Sequence, residues 1–316
     1  MDSDSFLVDV EQKPANLRTF AHWLDHPRPL DLDLTRVRRV VITGLGSSRF
    51  AGLDAARELR SHGVAAWCDF SSANLGPLSR DTLLVAISAS GCTPETVTAA
   101  RERGRAQVLA LTNRQDSDLE MIADATMHLH AGQEPSKAVT SSMIHSLLGL
   151  HLLTDWLTGQ ARPLAETADR AAAAIELLLD TRDTWLATMA GLLDSPDGVH
   201  FITPARRSAS ASQSALVIRE TSRRPSTACE AADWAHTDVY LTLNKDYRAV
   251  LLGRNPYADA LFEWTQPRKR SVISFGAQES RAQYSLRFPH DDNQLVAPLV
   301  DTLLAELVGQ RWFHSN

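Results

Sequence analysis

The sequence has few cysteines, few lysines and no excess of basic charge. Its 316 residues include three cysteines, Cys68, Cys92 and Cys229, which are too few and too scattered for a disulfide framework or a zinc site. Only four of its 32 basic residues are lysines, so chemistry that requires a lysine amine has little support. The net charge of −6 disfavours a nucleic-acid partner, which needs a basic face. We therefore predict a cytoplasmic protein without a metal site or a nucleic-acid partner.

No long hydrophobic run is present either. The most apolar stretch, 143–157, is interrupted by His145, Ser146, His151 and Asp155, so we expect no membrane span. The first residues lack a basic and an apolar segment, which predicts no signal peptide. Apolar residues make up 44 % and charged residues 22 % of the chain, as in a globular protein with a substantial core. At roughly 150 residues per domain, the length suggests two domains.

Short apolar runs recur with similar spacing in the two halves of the chain. Each run is followed by turn residues and then by a helical pattern, which predicts a parallel sheet flanked by helices. The predicted strands are 39–47, 82–91 and 107–113, with a weaker one at 64–70, and then 199–203, 248–253 and 271–276. The runs lie about 44 and 23 residues apart in the first half and about 50 and 22 apart in the second. This repetition predicts an α/β protein with two similar three-layer α/β/α domains, each with a mostly parallel sheet.

Helical patterns fall between and after these runs. They cover residues 50–62, 94–104, 139–158, 164–193, 205–222, 257–264 and 295–312. We expect a first domain over 1–160, a helical connection over 161–195 and a second domain over 196–316. The final helix places Leu295 and Leu307 at the ends of one apolar stripe, which we expect to pack on a domain or on a second subunit.

A glycine-rich turn follows the first strand and precedes a helix. Its residues Gly46, Ser47 and Ser48 offer backbone N–H groups beside the positive end of a helix dipole, which suits a phosphate. The alternative is a dinucleotide-binding turn, since Asp69 ends the next predicted strand where a ribose-binding acid is expected. Arg49 stands where that motif requires its third glycine, which weakens the dinucleotide hypothesis.

A second loop, after the strand at 82–91, is rich in hydroxyl groups. Ser88, Ser90 and Thr93 offer three hydroxyls, Gly91 lets a ligand approach the backbone, and Pro94 suits the first turn of a helix. Two such loops at the carboxyl ends of neighbouring parallel strands face one crevice, which favours a phosphate on a small polar molecule. The alternative is that these side chains only cap helices, although a cap accounts for one hydroxyl per helix.

The motifs Gly46-Ser47-Ser48 and Ser88-x-Ser90-Gly91-x-Thr93 resemble the phosphosugar-binding loops of SIS (sugar isomerase) domains. The order of the two halves is similar to the double-SIS proteins, which include the isomerase half of glucosamine-6-phosphate synthase, phosphosugar isomerases, aminosugar deaminases and fructosamine deglycases. The segment 10–18 is similar to their glutamine-proline leader. The resemblance implies a sugar-phosphate ligand, no cofactor and no metal, and a homodimer.

The resemblance also implies a catalytic pair, because that family has a glutamate and, sixteen residues later, a histidine in its second domain. Here these positions hold Glu220 and His236. Moving a proton between C1 and C2 of a sugar needs a base, and a carboxylate with a raised pKa suits this task. Histidine suits the proton shuttle of ring opening near neutral pH. The resemblance thus assigns Glu220 as base and His236 to ring opening, with His236 reaching a partner subunit's site, whereas a merely solvated Glu220 is the alternative.

Two departures from the family pattern support a second functional hypothesis. The glycine-rich loop expected after the first strand of the second half reads 203–207, Thr-Pro-Ala-Arg-Arg, and Thr237-Asp238 follows the histidine in place of Gly-Pro. The leading hypothesis is an isomerase, deaminase or deglycase acting at C1/C2 of a sugar phosphate. The alternative is a non-catalytic sugar-phosphate sensor or regulatory protein, and a nicotinamide-dependent oxidoreductase ranks last.

Overall fold

The computed structural model describes residues 2–136 and 138–313, which fall into two compact units. The unit with the first sheet, called the first unit below, comprises Ala15–Gln133 and Ser141–Asp169. The unit with the second sheet, called the second unit, comprises Met1–Pro14, Glu134–Thr140 and Arg170–Asn316. The domain boundaries expected from the sequence, near 160 and 195, stay a prediction.

The strands and helices follow one another along the described chain in an alternating order. The strands are β1 (Arg39–Gly44), β2 (Ala65–Phe70), β3 (Thr82–Ile87), β4 (Gln107–Thr112), β5 (Ala125–His128), β6 (Val199–Thr203), β7 (Ser226–Glu230), β8 (Arg248–Leu252), β9 (Ser271–Phe275) and β10 (Tyr284–Leu286). The helices are α1 (Ser3–Glu11), α2 (Lys13–Asp25), α3 (Ser47–Ser61), α4 (Pro94–Arg101), α5 (Asp118–Ile122), α6 (Ser141–Thr158), α7 (Leu164–Asp180), α8 (Arg182–Leu193), α9 (Ser208–Ser222), α10 (Ala231–Trp234), α11 (Leu241–Asn244), α12 (Ala258–Thr265), α13 (Ala297–Val300) and α14 (Leu303–Phe313).

The first unit is built on a parallel five-stranded sheet in the order β2-β1-β3-β4-β5. Every residue of β3 is buried, which explains why its sequence is continuously apolar. The strand order reverses between β1 and β3, the position at which open α/β sheets bind ligands beyond the carboxyl ends of their strands. Thr43 of β1 lies opposite both Asp69 and Ala86, so the loops after β1, β2 and β3 start at one edge.

Helices cover both faces of this sheet. On one face, Val41 and Leu84 pack with Val97 of α4 and Leu119 of α5. On the other face, α3 lies so close that a Cβ on Gly52 would be 2.7 Å from Ile42 Cγ2 and 2.8 Å from Cys68 Sγ. Successive residues of β1 therefore face the two helical layers in turn, as the sequence predicted.

The second unit repeats this architecture. Its parallel sheet has the order β7-β6-β8-β9-β10, which reproduces the first order strand for strand. Trp234 of α10 and Phe262 of α12 pack on one face against Ile202 and Leu251. The helix α9 follows β6 and packs against β6 and β7. The connection from β6 to β7 and the connection from β8 to β9 run in opposite directions across the sheet. Because both crossovers are right-handed, α9 and α12 lie on opposite faces of the sheet. The predicted duplicated α/β fold is confirmed.

Two predicted helices are interrupted. The helix expected over 164–193 is divided at Thr181, whose backbone departs from helical geometry with φ −97° and ψ 3°. The helix expected over 295–312 is divided after Val300, where Asp301 and Thr302 turn their polar groups into the unit.

The apolar stripe of the final segment belongs to the core of the second unit. Leu299, Leu303 and Leu304 are fully buried, and α14 packs against α9, α8 and α1. The expectation that this stripe packs on a domain is therefore confirmed. The idea that this stripe forms a subunit interface is wrong, because its side chains are already covered. In the described residues, no helix has both the length and the apolarity to cross a bilayer.

Candidate functional site

The two phosphate-type loops lie where the first sheet reverses its strand order. Gly46 ends the turn after β1 with φ +52°, and α3 begins at Ser47. The second loop follows β3, and Gly91 adopts φ +64° within it. Both positions lie in the left-handed region, which favours glycine. The structure therefore brings the predicted loops to neighbouring strand ends.

The three hydroxyl groups of the second loop form one cluster. Ser88 Oγ lies 2.8 Å from Thr93 Oγ1 and 3.4 Å from Ser90 Oγ. Ser88 is buried and Ser90 is exposed, so the cluster reaches from the interior to the surface. The Cys92 N–H donates to Ser90 Oγ at 3.3 Å, which orients this serine. The cluster can both donate to and accept from a polar ligand.

The alternative hypothesis, that these side chains only cap helices, does not describe the geometry. Thr93 precedes α4 but makes no side-chain capping bond, because its hydroxyl pairs with Ser88. Gly46 precedes α3 and has no side chain with which to cap it. The first amides of a helix have no partner within the helix. In the described part of the chain, the amino ends of α3 and α4 therefore keep donors that suit an anion.

A second chain of hydrogen-bonded hydroxyls is buried next to these loops, and the sequence did not predict it. Thr43 Oγ1 lies 3.2 Å from Ser71 Oγ, which in turn lies 2.9 Å from Thr96 Oγ1. These residues belong to the end of β1, the loop after β2 and the first turn of α4. They fix α4 relative to the strand ends. The available signal was Thr43, a polar residue inside an otherwise apolar strand.

The residues behind the dinucleotide hypothesis make other contacts. Asp69 Oδ1 accepts a hydrogen bond from the Phe70 N–H at 2.7 Å, so this oxygen is turned back to the backbone. The Arg49 guanidinium carbon lies 3.8 Å from the centre of the Phe70 ring, and a stacked guanidinium occupies the place of the glycine that the motif needs. These contacts give the dinucleotide hypothesis no support and add a positive charge beside the phosphate-type loops.

Glu220 lies near the end of α9 in the second unit. Since α9 runs back from the carboxyl end of β6 towards the start of β7, Glu220 is close to the amino edge of the second sheet. The neighbouring Arg219 Nη1 donates to the Ser226 carbonyl oxygen at 2.6 Å, at the first residue of β7. Although the Glu220 side chain is exposed, desolvation of its carboxyl raises its pKa, and the Arg219 charge opposes this effect. A raised pKa is what a carboxylate base requires.

His236 lies elsewhere in the same unit. It follows α10, and the adjacent Thr237 Oγ1 lies 3.6 Å from Cys229 Sγ near the carboxyl end of β7. Because α9 and α10 pack on opposite faces of the sheet, Glu220 and His236 are separated by the sheet and by the length of a five-residue strand. The structure does not bring the two residues together within one copy of the chain.

The absence of a metal site stays a prediction, and the possible metal ligands of the described residues are dispersed. Within 2–136 and 138–313, no three His, Cys, Asp or Glu side chains are placed to hold a metal ion. The cysteines Cys68, Cys92 and Cys229 are all free thiols. Desolvation raises the pKa of Cys68 to about 12 and that of Cys229 to about 11, so both stay protonated at neutral pH.

The parallel sheet, its switch point and the hydroxyl loops define an α/β domain with groups that suit a phosphate at one sheet edge. Residues 33–154 match the model of the SIS domain family. This part of the chain is therefore similar to an SIS domain, and the two units together have the duplicated α/β fold of SIS-type structures.

The curated relatives share one description. The glutamine–fructose-6-phosphate aminotransferase (isomerizing) of Streptomyces coelicolor is 27 % identical over 331 residues, which cover 95 % of this chain and 53 % of that protein. The enzyme of the same name from Symbiobacterium thermophilum is 31 % identical over 224 residues, covering 66 % of this chain and 36 % of that protein. The chain thus spans about half the length of such relatives or less.

Solved structures match the fold over nearly the whole chain. The C-terminal domain of glucosamine-fructose-6-phosphate aminotransferase from Francisella tularensis has a TM-score of 0.83 at 19 % identity, covering 98 % of this chain and 95 % of that one. Tagatose-6-phosphate ketose/aldose isomerase from Escherichia coli has a TM-score of 0.76 at 17 % identity, with coverages of 98 % and 92 %. Glucosamine-6-phosphate deaminase from Thermotoga maritima has 0.74 at 16 %, with 98 % and 94 %. At these identities the likeness establishes the fold alone.

Proposed function

We propose that this protein is a cytoplasmic, homodimeric enzyme that binds a sugar phosphate and acts at its C1/C2 positions by isomerisation, deamination or deglycation. The observation that carries the proposal is the cluster of Ser88, Ser90 and Thr93 hydroxyls beside the uncapped amino ends of α3 and α4. These donors suit a phosphate group, and the names of the relatives and structural neighbours refer to phosphorylated hexoses and hexosamines.

Phosphate binding is tested by Ser90→Ala. The exposed Ser90 hydroxyl would donate to a phosphate oxygen, and losing this charge-assisted bond should weaken binding about ten- to a hundredfold. Calorimetric titration with fructose 6-phosphate, glucosamine 6-phosphate and tagatose 6-phosphate measures this loss. The matched control is Ser61→Ala, because Ser61 is exposed and bonds only the Glu58 carbonyl oxygen within its own helix. Equal affinities in wild type and Ser90→Ala would place the phosphate elsewhere.

The proposed chemistry assigns Glu220 to proton transfer between C1 and C2, and His236 to ring opening. The raised pKa of the Glu220 carboxyl supports the first role. A base that exchanges its proton with solvent also introduces deuterium at C1 or C2 of the substrate in deuterated water. Exchange monitored by proton NMR therefore tests for the reaction even when the product has not been identified.

A non-catalytic sensor is the second candidate. The arginine-rich segment that replaces the glycine-rich loop after β6 favours it. A sensor would bind a sugar phosphate with loss of affinity in Ser90→Ala, but it would show no turnover and no deuterium exchange. Exchange in the wild-type protein excludes the sensor.

A further inference from the structure

The second unit has its own crevice, beyond the carboxyl ends of its strands. Its volume is about 710 Å³, and its lining comes mainly from the segments that follow β6, β8, β9 and β10. The strand order of this sheet reverses between β6 and β8, the position at which open α/β sheets bind ligands. The volume lies within the range of small-molecule sites.

Arg207 lines this crevice and is bonded to other residues of the second unit. Its side chain is buried, Nη2 donates to the Asp291 carbonyl oxygen at 2.7 Å, and Nη1 lies 3.4 Å from Asp301 Oδ1. The guanidinium also lies against Gly253, where a Cβ would collide with Nη1. Arg207 therefore shapes the crevice, and its charge is balanced by Asp301.

Two further arginines of the crevice lining form ion pairs. Arg281 contacts Glu279 at 2.9 Å and Asp259 at 2.7 Å. Arg287 Nη2 donates to Asp291 Oδ1 at 2.6 Å. These ion pairs neutralise acids that would otherwise repel an anion. Asp292, a further acid of the lining, is close enough to raise the pKa of Arg287.

Two arginines of the lining have no such partner. Arg206 and Arg254 are exposed, and neither guanidinium group has a hydrogen bond or ion pair with any residue that the structure describes. They belong to the segments after β6 and β8, on the two sides of the switch point. Guanidinium groups bind phosphate and carboxylate through paired hydrogen bonds, so two of them facing one crevice suit a small anion.

An unpaired buried amide points to the same ligand chemistry. Asn255 is 8 % exposed, and its Oδ1 accepts from the Tyr257 N–H at 2.9 Å. The nitrogen of the same amide, Nδ2, is buried and has no hydrogen-bond partner among the described residues. A buried donor without an acceptor is costly, so a ligand acceptor would stabilise it.

We propose that this crevice binds a small organic anion, a phosphate ester or a carboxylate, between Arg206 and Arg254 with the Asn255 amide donating to it. This site is separate from the hydroxyl loops of the first unit and uses guanidinium groups where those loops use hydroxyls and helix amides. Its ligand need not be the substrate, and its occupation does not depend on the function proposed above.

The test measures anion binding in variants of both sites. Inorganic phosphate, glycerol 3-phosphate and citrate are titrated into wild type, Ser90→Ala, Arg206→Gln and Arg254→Gln at constant ionic strength, with chloride as the reference. Melting temperature reports binding, and calorimetry gives the affinity. We expect at least one anion to bind wild type and Ser90→Ala alike and to bind each arginine variant about ten- to a hundredfold more weakly. Preference for either phosphate compound or for citrate identifies the anionic group.

Two further variants make the result specific. Asn255→Asp keeps the acceptor for the Tyr257 N–H but replaces the unpaired donor with a carboxylate oxygen, so it should also weaken binding. Arg311→Gln removes an exposed arginine of α14 that is outside the crevice lining, and binding should not change. The proposal is overturned if no anion binds more tightly than chloride, or if affinity is equal in wild type, Arg206→Gln and Arg254→Gln. If Ser90→Ala is the only variant that loses sugar-phosphate binding, that loss concerns the first unit. It does not affect the conclusion about the crevice of the second unit.

Discussion

At the scale of single residues, the surroundings of the Glu220 carboxyl favour the role proposed for it. Its carboxyl is partly desolvated, which raises its pKa above the usual 4.5, although Arg219 opposes the shift. A stronger base accepts a proton from carbon more readily, provided it remains ionised at the working pH. The geometry of α9 is therefore compatible with the proposed role even though the side chain is exposed.

Replacement of Glu220 by glutamine tests this role. The amide keeps the size of the side chain but cannot accept a proton, so turnover should fall by roughly 10²–10⁴ while sugar-phosphate affinity changes little. In the wild type, the acid limb of the pH–rate profile should lie above pH 4.5, because the carboxylate protonates as pH falls through its raised pKa. Steady-state kinetics and deuterium exchange measure both effects. A fully active Glu220→Gln protein would assign the base to another residue.

Asp301 gives a prediction about stability rather than catalysis. Complete burial raises its pKa from 3.8 to about 6, with Asp291 acting in the same direction and Arg207 against it. The folded protein therefore holds a proton that the unfolded chain has released between these pH values. As pH rises from 3.8 through about 6, the wild type should lose stability relative to Asp301→Asn, which does not titrate. Urea unfolding across this interval measures the difference, and a difference independent of pH contradicts the assignment.

At the scale of elements, the sequence predicted the strands whose apolar pattern results from burial on both faces of a sheet. β1, β3, β4, β6, β8 and β9 are continuously apolar because each lies inside a sheet. The edge strand β7, with the sequence Ser-Thr-Ala-Cys-Glu, and the short β5 and β10 were not predicted, since edge strands bury less and need less apolar sequence. The phosphate-type loops were predicted because their glycines and hydroxyls follow β1 and β3. The Thr43–Ser71–Thr96 chain was not, because it joins three distant segments.

The loop after β3 depends on Gly91, and a substitution measures this dependence. At φ +64°, an added Cβ would collide with Ser117 Oγ and lie 2.8 Å from Thr112 Oγ1. Gly91→Ala should therefore lower the free energy of unfolding by about 1–3 kcal/mol. Gly63→Ala isolates the backbone cost, because φ is +83° there and no described atom lies within 4 Å of the added Cβ. Gly191→Ala, in open space within α8, should instead raise stability by about 0.5–1 kcal/mol. Equal effects at positions 91 and 63 would mean that packing at Gly91 is unimportant.

At the scale of the whole molecule, two sheets of the same topology carry different chemistry at their switch points. The first offers Ser88, Ser90 and Thr93 with helix amides, and the second offers guanidinium groups around Arg207. Duplication of a fold thus preserves strand order while the loops diverge, as expected when function resides in loops on a common scaffold. In the proposed enzyme, the positions of Glu220 and His236 determine how many copies of the chain one active site needs.

Because Glu220 and His236 lie on opposite faces of one sheet, joint action in the proposed enzyme requires two copies of the chain. This arrangement makes a prediction about mixtures. Glu220→Gln and His236→Ala should each be inactive alone, but hybrid dimers contain one site in which both residues are intact. After random exchange of subunits, half of the dimers are hybrids and half of their sites are competent, so activity should recover to about a quarter of wild type. Assays of refolded mixtures, with each variant refolded alone as the control, measure this recovery. A mixture no more active than its components, from a protein that sedimentation shows to be dimeric, would mean that one copy supplies the complete site.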